Sequence, residues 1–239
     1  MRKLLYQGLL WRGLNYVTVF LVTLAIAKLF QAGESGVINF LVNNLAFFIL
    51  LTSFSLESAT GYYSAKNEIA QPALIGISLL MTAFSMILNA VLVAWFLDLG
   101  SQWFPAVMYC GGVVLTSYFM GLFNSHYDYV FPNAVVVGVN LLIVILAALF
   151  PAELSGNGAS LFLKIYFGSF LFTGLILTTR YILVYGKSIA LPSSASLEKL
   201  FRYALLALLA NILFFLVYRV DYWFVNKYST DAELGNYIQ

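Results

Sequence analysis

Charge is what this sequence lacks most. Only 9% of its residues are Asp, Glu, Lys or Arg, against about 25% in a soluble globular domain. A chain of 239 residues that is 62% hydrophobic cannot cover a surface that faces water on all sides. That excludes a soluble domain and leaves an integral membrane protein. The net charge of +2 is too small for a nucleic-acid surface, and no basic run interleaved with aromatics occurs. Cysteine is almost missing. Cys110 stands alone inside an apolar run, so an intramolecular disulfide and a cysteine-based metal site are both excluded. It reads as a small buried hydrophobe. Histidine is equally scarce. His126 lies in the short stretch Asn124-Ser125-His126-Tyr127-Asp128. One imidazole beside one carboxylate is too little for a metal site, and a solvated loop position is expected. No Gly-rich phosphate loop, H-E-x-x-H helix or nucleophile elbow occurs. With neither a catalytic constellation nor a cofactor motif, the chain is not expected to be an enzyme.

What the sequence has in abundance is long apolar runs. A spanning helix needs roughly 20 such residues. Seven segments qualify, at 9–29, 37–62, 72–97, 104–123, 130–150, 160–184 and 201–225. The prolines punctuate them: Pro72, Pro105 and Pro132 near helix starts, Pro151 just after an end, Pro192 in a loop. Proline is tolerated in a first turn because its missing N–H has no partner there. Ser155-Gly156-Asn157-Gly158 is a turn cluster. Ala25-Ile26-Ala27 resembles a signal cleavage site, but the first run is long enough to span and reads as a retained helix. Lys and Arg set the orientation. With the N-terminus in the cytoplasm, Arg2, Lys3, Arg12, Lys66, Arg180, Lys187, Lys199 and Arg202 lie inside, and Lys28, Lys164, Arg219 and Lys227 lie outside. The expected site is therefore the cytoplasmic membrane, crossed several times, with the N-terminus inside.

A loose internal repeat organises the chain. Lys28 and Lys227, Glu34 and Glu233, and Gly36 and Gly235 are each separated by 199 residues. The same offset pairs Lys3 with Arg202. Each copy reads basic residue, apolar run, Lys, polar turn, Glu-x-Gly, next helix. The expected architecture is all-α: one bundle of six helices at 1–190, a cytoplasmic linker at 191–200, and the first helix of a second bundle at 201–239. On that reading, 1–239 alone inserts but does not transport, because it supplies one wall of a cavity that needs two.

Polar residues inside the apolar runs are the candidates for function. In the second run Asn39, Asn43, Ala46, Leu50, Ser53 and Glu57 are spaced 4, 3, 4, 3, 4, which is one face of a helix. In the third, Ser78, Thr82, Ser85 and Asn89 form another. Arg12 and Asn15 share a face of the first; Asn140 and Asn211 lie in the fifth and seventh. Serine and threonine also bond back to the preceding turn or pack between helices, but two continuous polar faces point to a shared water-filled cavity. Two arrangements satisfy the charges at one end. Either Arg12 pairs with Glu57, or Arg12 snorkels to the headgroups while Glu57 sits at the interface. Arg219 and Asp221 point about 160° apart on a helix. Asp221 is expected to face inward, because arginine has the longer stem for snorkelling.

These residues carry a resemblance. The Glu34-Ser35-Gly36 turn, Ser55-Leu56-Glu57-Ser58-Ala59, Phe131-Pro132-Asn133, and Asp221 ahead of Glu233-Leu234-Gly235-Asn236-Tyr237, in that order, resemble the polysaccharide flippases of the multidrug/oligosaccharidyl-lipid/polysaccharide exporter superfamily. The resemblance implies two helical bundles around a central cavity and alternating access for a polyprenyl-diphosphate-linked oligosaccharide. It also implies membrane lipid, a polysaccharide polymerase and glycosyltransferases as partners. Arg12 would supply positive charge to the diphosphate. Asn43, Ser78, Thr82, Ser85 and Asn89 would bond sugar hydroxyls, and Asn15 and Asn140 are further candidates to line the cavity or contact the substrate. Glu57 and Asp221 are the carboxylates available to a coupling sodium ion or proton. Family members often carry an arginine shortly after the Leu-Glu-Ser-Ala stretch, where this chain has Tyr62-Tyr63, so no substrate-binding arginine carries over there. The alternatives are a multidrug cation antiporter of the same superfamily, which needs cavity carboxylates, and a polytopic polysaccharide-synthesis enzyme, which needs a catalytic outer loop.

Overall fold

The computed structural model describes residues 2–155, 159–186 and 188–238. The expected turn at Gly156-Asn157-Gly158, and the side chains of Arg2, Lys3 and Lys187, lie outside what is described. Among the described residues the chain is helical throughout: α1 (Arg2–Leu29), α2 (Ala32–Ser53), α3 (Leu56–Ala65), α4 (Gln71–Phe96), α5 (Trp103–Ser125), α6 (Val130–Leu149), α7 (Pro151–Ser155), α8 (Ser160–Tyr185), α9 (Ser194–Tyr228) and α10 (Asp231–Ile238). A 3-10 turn, Gly100–Gln102, leads into α5. Seven helices (α1, α2, α4, α5, α6, α8 and α9) are long and apolar enough to cross a membrane. The protein is a multi-pass, all-α membrane protein.

Local chemistry explains several helix starts. Pro72 opens α4, and Pro105 and Pro132 sit in the first turns of α5 and α6. The start of α9 corrects the expected linker. The Ser193 hydroxyl caps the helix by accepting the Ser196 N–H at 3.3 Å, and residues 194–200 are already helical. A Ser/Thr N-cap of this kind supplies a partner for an orphan N–H of the first turn.

The second expected span is also corrected. It does not run unbroken to residue 62. Phe54 (φ 53°, ψ 19°) and Ser55 (φ 52°, ψ 26°) are both left-handed and separate α2 from α3. Neither is glycine, and each such residue costs about 1–2 kcal/mol, so its surroundings must hold it. The Phe54 ring meets Phe201 of α9 edge-on, with centroids 6.5 Å apart. Ser55 is fully buried, and its hydroxyl accepts from Asn211 Nδ2 of α9 at 3.1 Å.

The packed centre is α5 against α8. A Cβ on Gly174 would stand 2.8 Å from Leu115 Cβ, and one on Gly112 would run into the α8 backbone at Phe170 and Leu171. Small residues let helix backbones approach where lipid gives no hydrophobic drive to associate. Cys110 is buried in this layer, as its apolar surroundings predict.

The helix ends gather at two faces of the bundle. At the near end lie Ser64, Gln71, His126 and Tyr181, joined by hydrogen bonds. At the far end Phe30 packs on Phe162, and Gln102 bonds Ser160. Here α10 crosses the start of α2 in a reciprocal contact. A Cβ on Gly36 would lie 2.7 Å from the Asp231 carbonyl oxygen; a Cβ on Gly235 would collide with the Ala32 carbonyl. Asp231 follows Ala32, and Gly235 follows Gly36, by the same 199 residues. The two close approaches, Gly36 to Asp231 and Gly235 to Ala32, are thus reciprocal at that offset.

Candidate functional site

Of the cavities that α1 and α2 line, three hold the polar candidates of the sequence. The first, about 520 Å³, lies toward the near end between α1, α5 and α6. Arg12 and Asn15 line it with Asn124, Asn133, Tyr16, Tyr127 and Tyr129. The second, about 570 Å³, lies toward the far end. It takes Asn39 and Asn43 from α2, Asn140 from α6, Tyr166 from α8, and Arg219 and Tyr222 from α9. The third, about 210 Å³, lies between the α2–α3 break and α5, and holds Ser53, Glu57 and Ser117.

A single face of α1 joins the first two. Gly8, Arg12 and Asn15 line the first cavity; Val19, Val22 and Ile26 line the second. The spacing is 4, 3, 4, 3, 4. At 1.5 Å per residue this face is about 27 Å long, close to the roughly 30 Å thickness of a bilayer's hydrocarbon core. The polar face of α2 continues the pattern. Asn39, Asn43 and Ala46 line the second cavity, and Ala46, Leu50, Ser53 and Glu57 line the third. Helical periodicity brings Asn39, Asn43, Ala46, Leu50 and Ser53 of α2 to one side, and Glu57, across the break in α3, joins Ser53 at the third cavity.

The first cavity is equipped to bind. Arg12 is exposed to it and has no ion pair among the described residues. Asn15 Oδ1 and Asn124 Oδ1 are buried with no hydrogen-bond partner among the described atoms. A buried amide oxygen without a donor costs free energy comparable to a lost hydrogen bond, so both oxygens call for a donor from water or a bound group. Asn133 Nδ2 is already used, donating to the Tyr129 carbonyl at 2.7 Å. The arrangement offers one cation for an anionic group, amide oxygens for hydroxyls, and tyrosine rings for flat apolar faces.

The other sequence candidates are placed differently. Arg12 and Glu57 do not meet; they line separate cavities and no ion pair joins them. Ser78, Thr82, Ser85 and Asn89 line none of the three cavities. They are buried between helices: Ser78 and Thr82 bond back to Leu74 and Ser78 carbonyls. Asn89 Nδ2 donates to Thr52 Oγ1 at 2.7 Å and to Ser85 O at 2.8 Å, and Thr52 Oγ1 lies 2.8 Å from Ser85 Oγ. They tie α2 to α4. Asn140 lines the second cavity while donating to Thr18 Oγ1 at 3.2 Å. The expected inward turn of Asp221 is corrected. Arg219, not Asp221, lines the second cavity, while Asp221 accepts a short hydrogen bond from Tyr237 of α10. Docking of α10 gives the carboxylate a partner, which frees it from the cavity.

His126 is not a solvated loop residue. Its ring stacks on Tyr185 at 4.3 Å with 4° between planes. Tyr181 Oη gives its hydrogen to Gln71 Oε1 at 2.8 Å, so it accepts from His126 Nε2 at 3.0 Å. The chain continues from Gln71 Nε2 to Ser64 Oγ at 2.7 Å and to Ser125 Oγ at 2.6 Å. Four elements are laced together at the near end. Burial lowers the His126 pKa below the ordinary histidine value, and the nearby Asp128 carboxylate opposes that shift.

Sequence reasoning missed Asn124, Asn133, Arg219 and the three tyrosines of the first cavity. Asn124 and Asn133 flank a loop and carry no periodic signal; only the packing of α1 on α6, with the end of α5 across the cavity, brings them near Arg12. Among the described residues no group of three or more His, Cys, Asp or Glu stands ready for a metal ion. Comparison of the chain with protein-family models, curated proteins and solved structures returned no match.

Proposed function

We propose that this protein carries a polyprenyl-diphosphate-linked oligosaccharide across the cytoplasmic membrane for polysaccharide biosynthesis. The carrying observation is the single face of α1 that lines two cavities in succession over about the thickness of a bilayer. The diphosphate needs a cation, which Arg12 supplies. The sugars need acceptors and flat rings, which Asn15, Asn124 and the tyrosines of the first cavity supply. The polyprenyl tail stays in lipid. The reciprocal contact at Gly36 and Gly235 supports two bundles related by a pseudo-two-fold axis, the arrangement that rocking transporters use for alternating access. In this reading the near end faces the cytoplasm, and the polymerase and glycosyltransferases of the same assembly are partners.

The test is equilibrium binding in lipid nanodiscs, using a polyprenyl-diphosphate-linked disaccharide as the probe. Saturable binding is expected, weakened about tenfold or more by Arg12→Ala, because a hydrogen bond to a charged group contributes about 1.5–3 kcal/mol. Equal binding of a bare polyprenol, or an unchanged affinity in Arg12→Ala, rules out the reading. Displacement of the probe by a hydrophobic organic cation would instead favour the antiporter.

A further inference from the structure

The second cavity is chemically the reverse of the first. In the first, the unpaired buried amide atoms are oxygens, on Asn15 and Asn124. In the second, the unpaired atom is a donor. Asn43 is 5% exposed, and its Nδ2 is buried with no hydrogen-bond partner among the described atoms. A buried N–H without an acceptor costs free energy comparable to a lost hydrogen bond, so it calls for one. Arg219 and Tyr222 share the space. Arg219 Nη1 donates to Tyr222 Oη at 2.9 Å. The rest of the guanidinium has no hydrogen bond and no ion pair among the described residues. Tyr222 Oη accepts that bond and keeps its own hydrogen for donation.

No described Asp or Glu lines this cavity to answer the arginine. Asp221, two residues along α9, is turned to Tyr237. The cavity therefore presents N–H and O–H donors around one uncompensated positive charge. A guanidinium flanked by such donors matches the oxygens of a carboxylate or a phosphate ester. Arg12 is uncompensated too, and it lies far off. From Arg12 to Val22, which lines the second cavity, is about 15 Å along the axis of α1. One diphosphate does not span that distance. A ligand that answers both cations carries two anionic groups set well apart.

We propose that the second cavity binds an acidic sugar, its carboxylate or phosphate ester held by Arg219, Tyr222 and Asn43, so that the carried oligosaccharide is an acidic one. The anion site stands on the cavity alone. Its assignment to the carried glycan rests on the transport reading, and the probes below separate the two.

The experiment is equilibrium binding to the full chain in phosphatidylcholine nanodiscs. The probes are a polyprenyl-diphosphate-linked disaccharide of neutral sugars, the same molecule ending in glucuronic acid, and a free disaccharide that contains glucuronic acid. The acidic lipid-linked probe should bind about tenfold more tightly than the neutral one, the gain of a charge-assisted hydrogen bond. Arg219→Gln should bring the ratio of the two affinities to about one. If Arg219→Gln does not fold, Tyr222→Phe and Asn43→Ala decide, each lowering the ratio about fivefold by loss of one donor.

A ratio near one in the native protein overturns the proposal. If added phosphatidylglycerol is then retained in a manner that depends on Arg219, the anion is a lipid headgroup. An Arg219→Gln protein that binds both lipid-linked probes more weakly by the same factor assigns Arg219 to the diphosphate, which also overturns it. Failure of the transport reading looks different: neither lipid-linked probe saturates, or Arg12→Ala changes nothing. The free disaccharide then decides the site. Binding that Arg219→Gln abolishes keeps it, and absence of binding overturns it.

Discussion

Asn89 and Arg12 are both polar residues in apolar helices, and they do opposite work. Asn89 is fully buried and donates across to Thr52 of α2. Arg12 is exposed to a cavity. Interhelical hydrogen bonds in membranes average about 0.6 kcal/mol and reach about 1.7 kcal/mol. Asn89→Leu should therefore cost about 1 kcal/mol of stability and leave probe affinity alone, while Arg12→Ala should do the reverse. Unfolding in denaturant, run beside the binding assay, separates the two; an Asn89→Leu protein of native stability that fails to bind would put Asn89 in the site instead. His126 makes a pH prediction at the same scale. Its folded-state pKa is lowered by burial, so the fold favours the neutral ring. The resulting stability is fully present above the ordinary value of about 6.5 and is lost as pH falls through the lowered pKa. Amide exchange in the α5–α6 connection, corrected for intrinsic rate, should slow between pH 5 and pH 7.5, and His126→Gln should flatten that change. Native protein with no pH dependence there would show that the ring's stacking on Tyr185 does not hold the loop.

At the scale of elements, the contact between α2 and α10 is the most exacting feature. A Cβ at Gly33 would lie 3.8 Å from Asp231 Cβ, within the range that a disulfide spans. Gly33→Cys with Asp231→Cys, in a Cys110→Ala background, should crosslink on mild oxidation. Failure to crosslink would mean that α10 does not dock on α2 in the membrane. Elements also show how far periodicity reaches. The polar face of α2 was readable because its five residues from Asn39 to Ser53 repeat at helical spacing. The break after Ser53 was not, because Phe54 and Ser55 carry no turn signature: neither is a glycine, an asparagine or a proline. It is held by contacts from α9, more than 140 residues later in the chain, through Phe201 and Asn211.

The whole molecule alternates between its two ends, and that alternation is testable. Asp98 lies in the α4–α5 connection and Ser194 at the start of α9; the span count puts them on opposite sides. Single cysteines at these positions, again with Cys110 replaced, should react with a membrane-impermeant reagent from opposite faces, Ser194→Cys from the cytoplasm. Labelling of both from one face would remove a span. A surface cluster supports the near-end grouping, with Lys199 Nζ 3.6 Å from Glu68 and Lys66 Nζ 3.6 Å from the same carboxylate. Exposed pairs of this kind contribute little stability and serve here only as markers of which connections share an end.

Sequence alone determined the class of this protein, its apolar segments and the helical faces on which polar residues lie. Those properties depend on local composition and on a fixed 3.6-residue period, both of which a single strand of text carries. The tertiary structure decided which polar face meets open space and which is consumed by packing. The faces of α2 and α4 look alike as text, yet that of α2 lines two cavities and that of α4 is spent on hydrogen bonds to Thr52 and to its own backbone. It also decided that Arg12 shares its cavity with asparagines of α5 and α6 and not with Glu57, and that Asp221 turns to Tyr237. The physical reason is that a hydroxyl or amide is satisfied equally well by a neighbouring helix or by water. Which of the two it meets depends on how closely backbones approach, and that is set by glycines brought together from distant parts of the chain.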